Sequence, residues 1–181
     1  MQSWSDVMEV VVRERRAALV GYAYLITGSL SEAEDITQEA IVRTFVRGQS
    51  RTDLDYAEAY IRKAIVNEAI NRSRHRRLTL SRRAAMAQPE SAPGHDGWVA
   101  SHTDIADALA ALSTQERACV VLRYFEDMTV PEIAGALRLA DGTVKRYLFN
   151  AADKLRGFLD DQTVDDPGEL ASVSLNYGGR S

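Results

Sequence analysis

The sequence contains little that would support catalysis or metal binding. Cys119 is its single cysteine, so no disulfide can form within the chain, and its position on the apolar side of a helix predicts a small core residue. The histidines, His75, His95 and His102, lie in no metal-ligand spacing, and we find neither a phosphate-binding glycine loop nor a nucleophile elbow. These absences predict a protein that is not an enzyme and uses no metal or other cofactor.

Long hydrophobic runs are also missing. The longest apolar stretches, Val10 to Val12 and Leu19 to Ile26, are far shorter than the roughly 20 residues that span a bilayer, and they lack the layout of a signal peptide. We therefore expect a cytoplasmic protein with no membrane insertion. Because the catalytic patterns are missing too, we also expect no small-molecule substrate.

An excess of positive charge is missing overall, because the net charge is -4, but Lys and Arg are concentrated in one segment. Residues 61–83 carry eight Lys or Arg against one Glu, whereas residues 84–116 carry five acids and no Lys or Arg. The tail at 161–181 is acidic as well. A basic block beside acidic segments is typical of a local polyanion site on a protein that acidic residues elsewhere keep soluble.

The segment from Thr129 to Leu159 has the pattern of a helix-turn-helix. Thr129 and Glu132 form a T-x-x-E capping box, and apolar residues then recur at the spacing of one helical face. A second helix is predicted from Gly142, with Asp141 as N-cap. Its polar side carries Lys145, Arg146, Phe149 and Asn150. Such side chains suit a reader of the DNA major groove, although an ordinary helical hairpin with a charged outer face remains the alternative for this segment alone.

The first half of the chain begins with two predicted helices. One extends from about Asp6 to Thr27 and ends at Gly28; Ser31 then caps the next through an S-E-A-E capping box. Opposite the apolar side of this second helix lie Asp35, Gln38 and Glu39. Spacing alone favours a solvated role for that face.

A third helix follows the polar loop at 48–55 and is predicted from Tyr56 to at least Arg74. Its outward stripe, at spacings of four, four and three, consists of Lys63, Asn67, Asn71 and Arg74. Because asparagine is a poor helix former, two in phase beside a basic run indicate hydrogen bonding to bases, with Arg74, Arg76 and Arg77 on phosphates. A solvated surface is the alternative.

The predicted fold class is all-α, with two small helical modules joined by a flexible acidic linker. The predicted boundaries are 6–83 for the first module, 84–103 for the linker, 104–160 for the second module and 161–181 for a disordered tail. The second module is expected to be a four-helix unit that ends in the helix-turn-helix, with Ser113 and Glu116 capping one of its helices. Each module is near the lower size limit for an independent core, so both should gain stability from a partner or from each other.

With both modules in view, the chain resembles bacterial RNA polymerase sigma factors of the extracytoplasmic-function group, which retain regions 2 and 4 only. In region 2, AEDITQEAIVRTF at 33–45 and AYIRKAIVNEAINRSRHRR at 59–77 are similar to the family's two helical motifs. In region 4, residues 108–156 are similar to the family pattern nearly throughout, most recognisably in G-T-V-K at 142–145.

The resemblance implies a bipartite promoter reader with two polymerase contacts. It implies that the face of Asp35, Gln38 and Glu39 docks on the β′ clamp of core RNA polymerase, and that region 4 meets the β flap. Residues implied to contact the minus-10 element are Lys63, Asn67, Asn71, Arg74, Arg76 and Arg77, with Asn67 capturing a flipped base beside the loop at 48–55. Residues implied to face the minus-35 element are Thr143, Lys145, Arg146, Phe149 and Asn150. Promoter DNA and an anti-sigma factor are the further partners expected.

This sequence departs from the family pattern at several positions. Tyr60 stands where the family often has Trp, Ser113 replaces a frequent Pro, and Arg138 replaces a common Gly. Arg146 occupies a usually small position and Asn150 replaces a frequent Arg. The last two departures leave the minus-35 sequence unassigned.

Two other functions are consistent with parts of the same sequence. A helix-turn-helix regulator of the response-regulator type would bind an isolated palindromic duplex as a dimer, without polymerase. An interaction protein that uses a sigma-like fold to sequester partners would produce no promoter-dependent transcript.

Overall fold

The computed structural model describes residues 4–46, 53–84 and 108–164, and its regular structure in these ranges is helical. Its helices are α1 (Trp4–Val10), α2 (Arg16–Thr27), α3 (Leu30–Val46), α4 (Leu54–Ala84), α5 (Thr114–Tyr124), α6 (Val130–Leu137) and α7 (Asp141–Val164), and a π-helical segment, Val11–Arg15, joins α1 to α2. The all-α prediction is confirmed. Residues 85–103 of the predicted linker, including Trp98, and most of the loop at 48–55 lie outside the described residues. The predicted start of the disordered tail at 161 is wrong, because α7 continues to Val164; residues 165–181 lie outside the described residues.

Helix ends in the first module follow local capping chemistry. Gly28 ends α2 as predicted, with a left-handed φ of 71° that glycine adopts without strain. The predicted cap at Ser31 is wrong, because α3 already begins at Leu30 and the Oγ of Ser29 accepts from the backbone N–H of Glu32 at 3.4 Å. The side chain that caps the first free N–H groups of α3 is therefore that of Ser29, two residues before the predicted Ser31.

The start of α4 also differs slightly from the prediction. The helix begins at Leu54 rather than Tyr56, because the carboxylate of Asp53 accepts from the backbone N–H of Asp55 at 3.0 Å. With 31 residues, α4 is about 46 Å long at 1.5 Å per residue. One helix therefore carries both the packing face of the first module and the whole basic segment.

Capping boxes organise the second module. Ser113 caps α5 and Glu116 returns its carboxylate to the Ser113 backbone N–H at 2.7 Å, as predicted. The box of Thr129 and Glu132 at α6 is confirmed too, with the Thr129 N–H donating to Glu132 at 2.7 Å. Helix α7 starts at Asp141, one residue before the predicted Gly142.

The two modules share one core. Ile26, Ile36 and Ile61 are fully buried in the first module, and Ile133 and Val144 are fully buried in the second. Each such side chain stabilises the fold by roughly 1.5–3 kcal/mol through burial. Helix α5 packs against both α2 and α4, so the apolar cluster runs continuously through both modules. The two modules therefore stabilise each other through direct packing, as their small size led us to expect.

Within the described ranges, none of the helices has the length and hydropathy that a membrane crossing would need.

Candidate nucleic-acid interface

The polar stripe predicted on α4 lines a cleft of about 750 Å³, here called the α4 cleft. Its four members, Lys63, Asn67, Asn71 and Arg74, are all exposed and line this one cleft. The opposite side of α4 is anchored by Ile61, Ile65 and Ala69, each fully buried. This apolar face fixes the rotation of α4, so the predicted common face exists in the structure; what it binds stays a prediction.

Several residues that the sequence patterns did not select also line the α4 cleft. Tyr56 and Tyr60 come from the same helix, and Arg43 comes from α3. Leu137 and Arg138 come from the end of α6, in the second module. Helical phase could have indicated Tyr60, which is four residues before Ala64 and three before Lys63. No signal in the sequence indicates that α6 ends beside α4.

A ring of alternating charges joins α3 to α4 at the edge of the cleft. Glu39 pairs with Arg43 on its own helix and with Arg72 of α4, the second distance being 2.9 Å. Arg72 pairs with Glu68 at 3.1 Å, and Arg43 approaches Glu68 at 3.6 Å. The hydrogen bond from Arg72, helped by Arg43, holds the pKa of Glu39 below its ordinary value despite some desolvation.

The α3 face predicted to be polar is more mixed than the sequence reasoning indicated. Asp35 and Gln38 are exposed, whereas Glu39 has both carboxylate oxygens in intramolecular ion pairs. Val42 and Val46 are 53% and 77% exposed, and they continue the line of Gln38 at spacings of four. Their position outside the buried phase of Ile41 and Phe45 was a readable signal that sequence reasoning missed. An acidic, amide and apolar strip therefore lies on the outer side of α3.

Farther along α4, the basic side chains have different environments. Arg76 forms an ion pair with Glu32 of α3 at 2.7 Å, while Arg77 is exposed. Arg62, part of the same basic block, lies against the second module instead of the cleft. The basic block at 61–83 is therefore not one uniform polyanion site. Its members lie in the α4 cleft, in an ion pair with α3, or against the second module.

The helix-turn-helix has the predicted geometry. Helix α6 ends at Leu137, and the left-handed φ of 54° at the next residue, Arg138, allows the chain to turn into α7. Val144 and Ala151 of α7 are fully buried. The residues on the opposite side range from partly to fully exposed, and comprise Thr143, Lys145, Arg146, Phe149 and Asn150.

Two of these α7 side chains show features that favour contact with a planar partner. Phe149 is 73% exposed, which leaves a large apolar ring in solvent. The guanidinium of Arg146 lies 5.9 Å from the ring centre of Tyr147, an arrangement that orients its donors without neutralising its charge. Together with Lys145 they form a cationic and aromatic front on the first half of the helix, as major-groove readers require.

Family models match both modules. The model described as Sigma-70 region 2 matches residues 11–79, and the one described as Sigma-70, region 4 matches residues 102–155. The RNA polymerase sigma-E factor of Streptomyces avermitilis is 34% identical over 162 residues, which cover 87% of each chain. The ECF RNA polymerase sigma factor SigL of Mycobacterium tuberculosis is 30% identical over 155 residues, covering 83% of this chain and 87% of the relative.

The fold likeness extends to a solved complex. The sigma factor RpoE of Bartonella quintana, in a co-crystal structure with the anti-sigma factor NepR, has a TM-score of 0.56 and 21% identity, covering 84% of this chain and 94% of the other. That similarity shows a common fold. The helical modules, the two family models and the relatives agree with the motifs at 33–45, 59–77 and 142–145. The chain therefore belongs to the sigma-70 family, as an alternative RNA polymerase sigma factor of the extracytoplasmic-function group with regions 2 and 4.

Proposed function

We propose that this protein binds core RNA polymerase and positions it on promoters by reading a minus-10 and a minus-35 element through its two modules, without catalysis of its own. The observation that carries the proposal is the α4 cleft, where two asparagines and two cations share one exposed face. Amide groups suit base edges and cations suit phosphates, so one surface combines recognition with strand binding.

Base capture is assigned to Asn67. It lies in the middle of the stripe, between Lys63 and Asn71. Its exposed amide offers both donors and an acceptor to the Watson–Crick edge of an unstacked base. Removing a base from the stack costs a few kcal/mol, so a site that stabilises one particular flipped base both melts and selects the minus-10 element. Asn71, Arg74, Arg76 and Arg77 then hold the strand backbone.

Core polymerase binding is assigned to the outer strip of α3. Asp35 and Gln38 supply polar contacts, and Val42 and Val46 supply the apolar area that a stable interface needs. Glu39 supports this strip from inside the ion-pair ring and can meet the β′ clamp with the exposed part of its carboxylate. The second module is assigned to the β flap.

Minus-35 recognition is assigned to the exposed side of α7. Lys145 and Arg146 can reach guanine in the major groove, while Thr143 and Asn150 can reach phosphates or further base edges. Phe149 packs on a thymine methyl group or on sugar. The affinity of this face need only be modest because polymerase and the α4 cleft contribute the rest.

An anti-sigma factor is the proposed regulator, in line with the complex of RpoE and NepR. The proposed location is the cytoplasm, where polymerase and promoters are found.

Transcription in vitro tests the proposal directly. Core RNA polymerase without any other sigma factor is incubated with the protein and fragments of the source genome, and transcript ends are mapped. We expect initiation from a small set of promoters that share two spaced elements. Silence on every template would overturn the proposal, and strong binding of the free protein to an isolated palindromic duplex would favour a dimeric regulator instead.

A further inference from the structure

The last part of α4 extends beyond the core that anchors the rest of the helix. Ile70 is the last buried residue of α4, and the described side chains from Asn71 to Ser81 range from partly to fully exposed. Among them, Leu78 and Leu80 are 56% and 63% exposed. Burying a leucine side chain contributes roughly 1.5–3 kcal/mol, so a partner that covers either leucine gains from the contact.

Leu78 continues the stripe that lines the α4 cleft. It is four residues after Arg74, and at about 100° per residue it lies between Lys63 and Asn71 around the helix axis. Leu80 lies about 160° away from Leu78 around the same axis. The two leucines therefore mark different faces of α4, and only the face of Leu78 is continuous with the cleft.

The surroundings of Leu78 are cationic. Arg72 and Arg76 form ion pairs with α3. Arg74 and Arg77 form no ion pair within the described residues, so their charges stay available to a partner. A leucine beside two such arginines suits a partner segment that combines carboxylates with apolar side chains.

The chain itself contains a segment of this kind after α7. Residues 165–181, DDPGELASVSLNYGGRS, carry three acids within five positions, Asp165, Asp166 and Glu169, and Leu170 follows them directly. The whole segment has one Arg against these three acids. Its 17 residues can extend over about 55 Å, which exceeds the ~46 Å length of α4. The 165–181 segment therefore has the charge, the apolar side chains and the reach to cover the face of Leu78.

The linker at 85–103 matches this face less well. Its two acids, Glu90 and Asp96, are six positions apart, and neither is directly adjoined by a large apolar residue. A basic face that also presents a leucine is therefore better complemented by the 165–181 segment.

We propose that the 165–181 segment docks on the face of α4 formed by Arg74, Arg77 and Leu78, and that it competes there with the DNA strand assigned to the stripe. The proposal rests on the proposed function, because DNA is the ligand that the segment displaces. Carboxylates of the segment take the place of phosphates beside the arginines, and its apolar side chains cover Leu78. A segment tethered to its own site acts at an effective concentration of the order of millimolar, so a weak contact is enough to occupy the face.

Distance measurement on the full chain tests the docking. Spin labels are placed at Thr79→Cys, an exposed position next to the proposed face, and at Ser174→Cys within the segment. The natural Cys119 is fully buried, and burial raises the pKa of its thiol to about 12, so it resists labelling. We expect a short-distance population in the parent, and added salt should reduce it by screening the charges.

Neutral variants identify the segment that docks. Asp165→Asn, Asp166→Asn and Glu169→Gln together should remove most of the short-distance population. The matched linker variant, Glu90→Gln with Asp96→Asn, should keep it.

Two leucine variants identify the face. Leu78→Ala should reduce the short-distance population, because it removes the apolar part of the contact. Leu80→Ala removes a similarly exposed leucine from the other side of the same helix and should leave the distances unchanged.

Binding of a fluorescent single-stranded oligonucleotide at low salt measures the competition. The triple neutral variant of the segment should bind ~3- to 10-fold more tightly than the parent, because DNA no longer has to displace the segment. The linker variant also loses acids and controls for the change in net charge. Its affinity should remain within about twofold of that of the parent.

The outcomes separate the docking from the proposed function. Identical distance distributions for the parent and the triple neutral variant would overturn the docking, and so would equal effects of Leu78→Ala and Leu80→Ala. Loss of the short distance in the linker variant alone would assign the face to the linker instead. Docking without any gain in oligonucleotide affinity would overturn the competition. If the distances respond as expected but neither the parent nor any variant binds the oligonucleotide, the contact stands and the proposed function of α4 is wrong.

Discussion

The two surfaces proposed to meet DNA differ in what lies in front of them. The stripe on α4 lies in a cleft whose wall includes Leu137 and Arg138 of the other module, whereas Phe149 on α7 is 73% exposed. The α7 face therefore projects into solvent, while the α4 stripe, although exposed, is bordered by the second module. The two helices also differ in charge, because α4 carries an excess of Lys and Arg whereas the acids and bases of α7 balance.

The largest expected effect concerns the α4 cleft. Asn67→Ala should reduce open-complex formation about 30-fold, or roughly 2 kcal/mol, because the captured base loses hydrogen bonds that offset its unstacking. Binding to core polymerase should change less than about twofold, since the α3 strip is untouched. Ser81→Ala is a suitable control, because it removes a polar group from an exposed site on the same helix. Equal losses in both steps would contradict the role of Asn67.

A smaller effect is expected on the α7 face. Lys145→Ala should weaken binding to promoter duplex by about fivefold and reduce the dependence of binding on salt by about one counterion. Open complexes, once formed at saturating protein, should be unaffected. Arg156→Ala, which removes an exposed cation of the same helix, should leave duplex affinity nearly unchanged. If both variants bind alike, α7 contributes only general charge.

The next effect in size is expected on the outer strip of α3. Glu39→Lys should weaken association with core polymerase about threefold, and it also places a third cation beside Arg43 and Arg72. Thermal unfolding measured alongside affinity separates these two consequences. Glu14→Lys, an exposed reversal on another helix, serves as control. If the variant folds and binds core polymerase as tightly as the parent does, this face of α3 is only solvated and does not contact polymerase.

The smallest effect is on stability as a function of pH. Because the folded-state pKa of Glu39 is lowered, its ion pairs stabilise the fold above the pKa of the unfolded chain and lose this contribution as pH falls through the lowered value. Glu39→Gln should cost about 0.5 kcal/mol at pH 7, a modest value because the side chain is 43% exposed. Chemical denaturation at several pH values should show the difference vanishing in acid. A difference that is constant with pH would mean that packing, not charge, stabilises this site.

Much of the molecule could be predicted because its signals are local. The helices, the end of α2 at Gly28, and the capping boxes at Ser113 and Thr129 each follow from residues within a few positions of one another. The common face of the α4 stripe followed from the helical period of 3.6 residues. The error at Ser31 has the same origin, because two serines two residues apart offered equivalent caps and only the backbone geometry selects between them.

What the sequence alone determined is therefore the set of helices, the family motifs and the side of each helix that faces the core. What only the tertiary structure decided is which distant side chains meet. Glu39 and Arg72 are 33 residues apart in the chain, and Arg62 and Glu126 are 64 residues apart. Such pairs depend on how helices cross, which no local spacing encodes. For this reason Arg62 and Lys63, adjacent in one basic block, belong respectively to the contact between modules and to the α4 cleft.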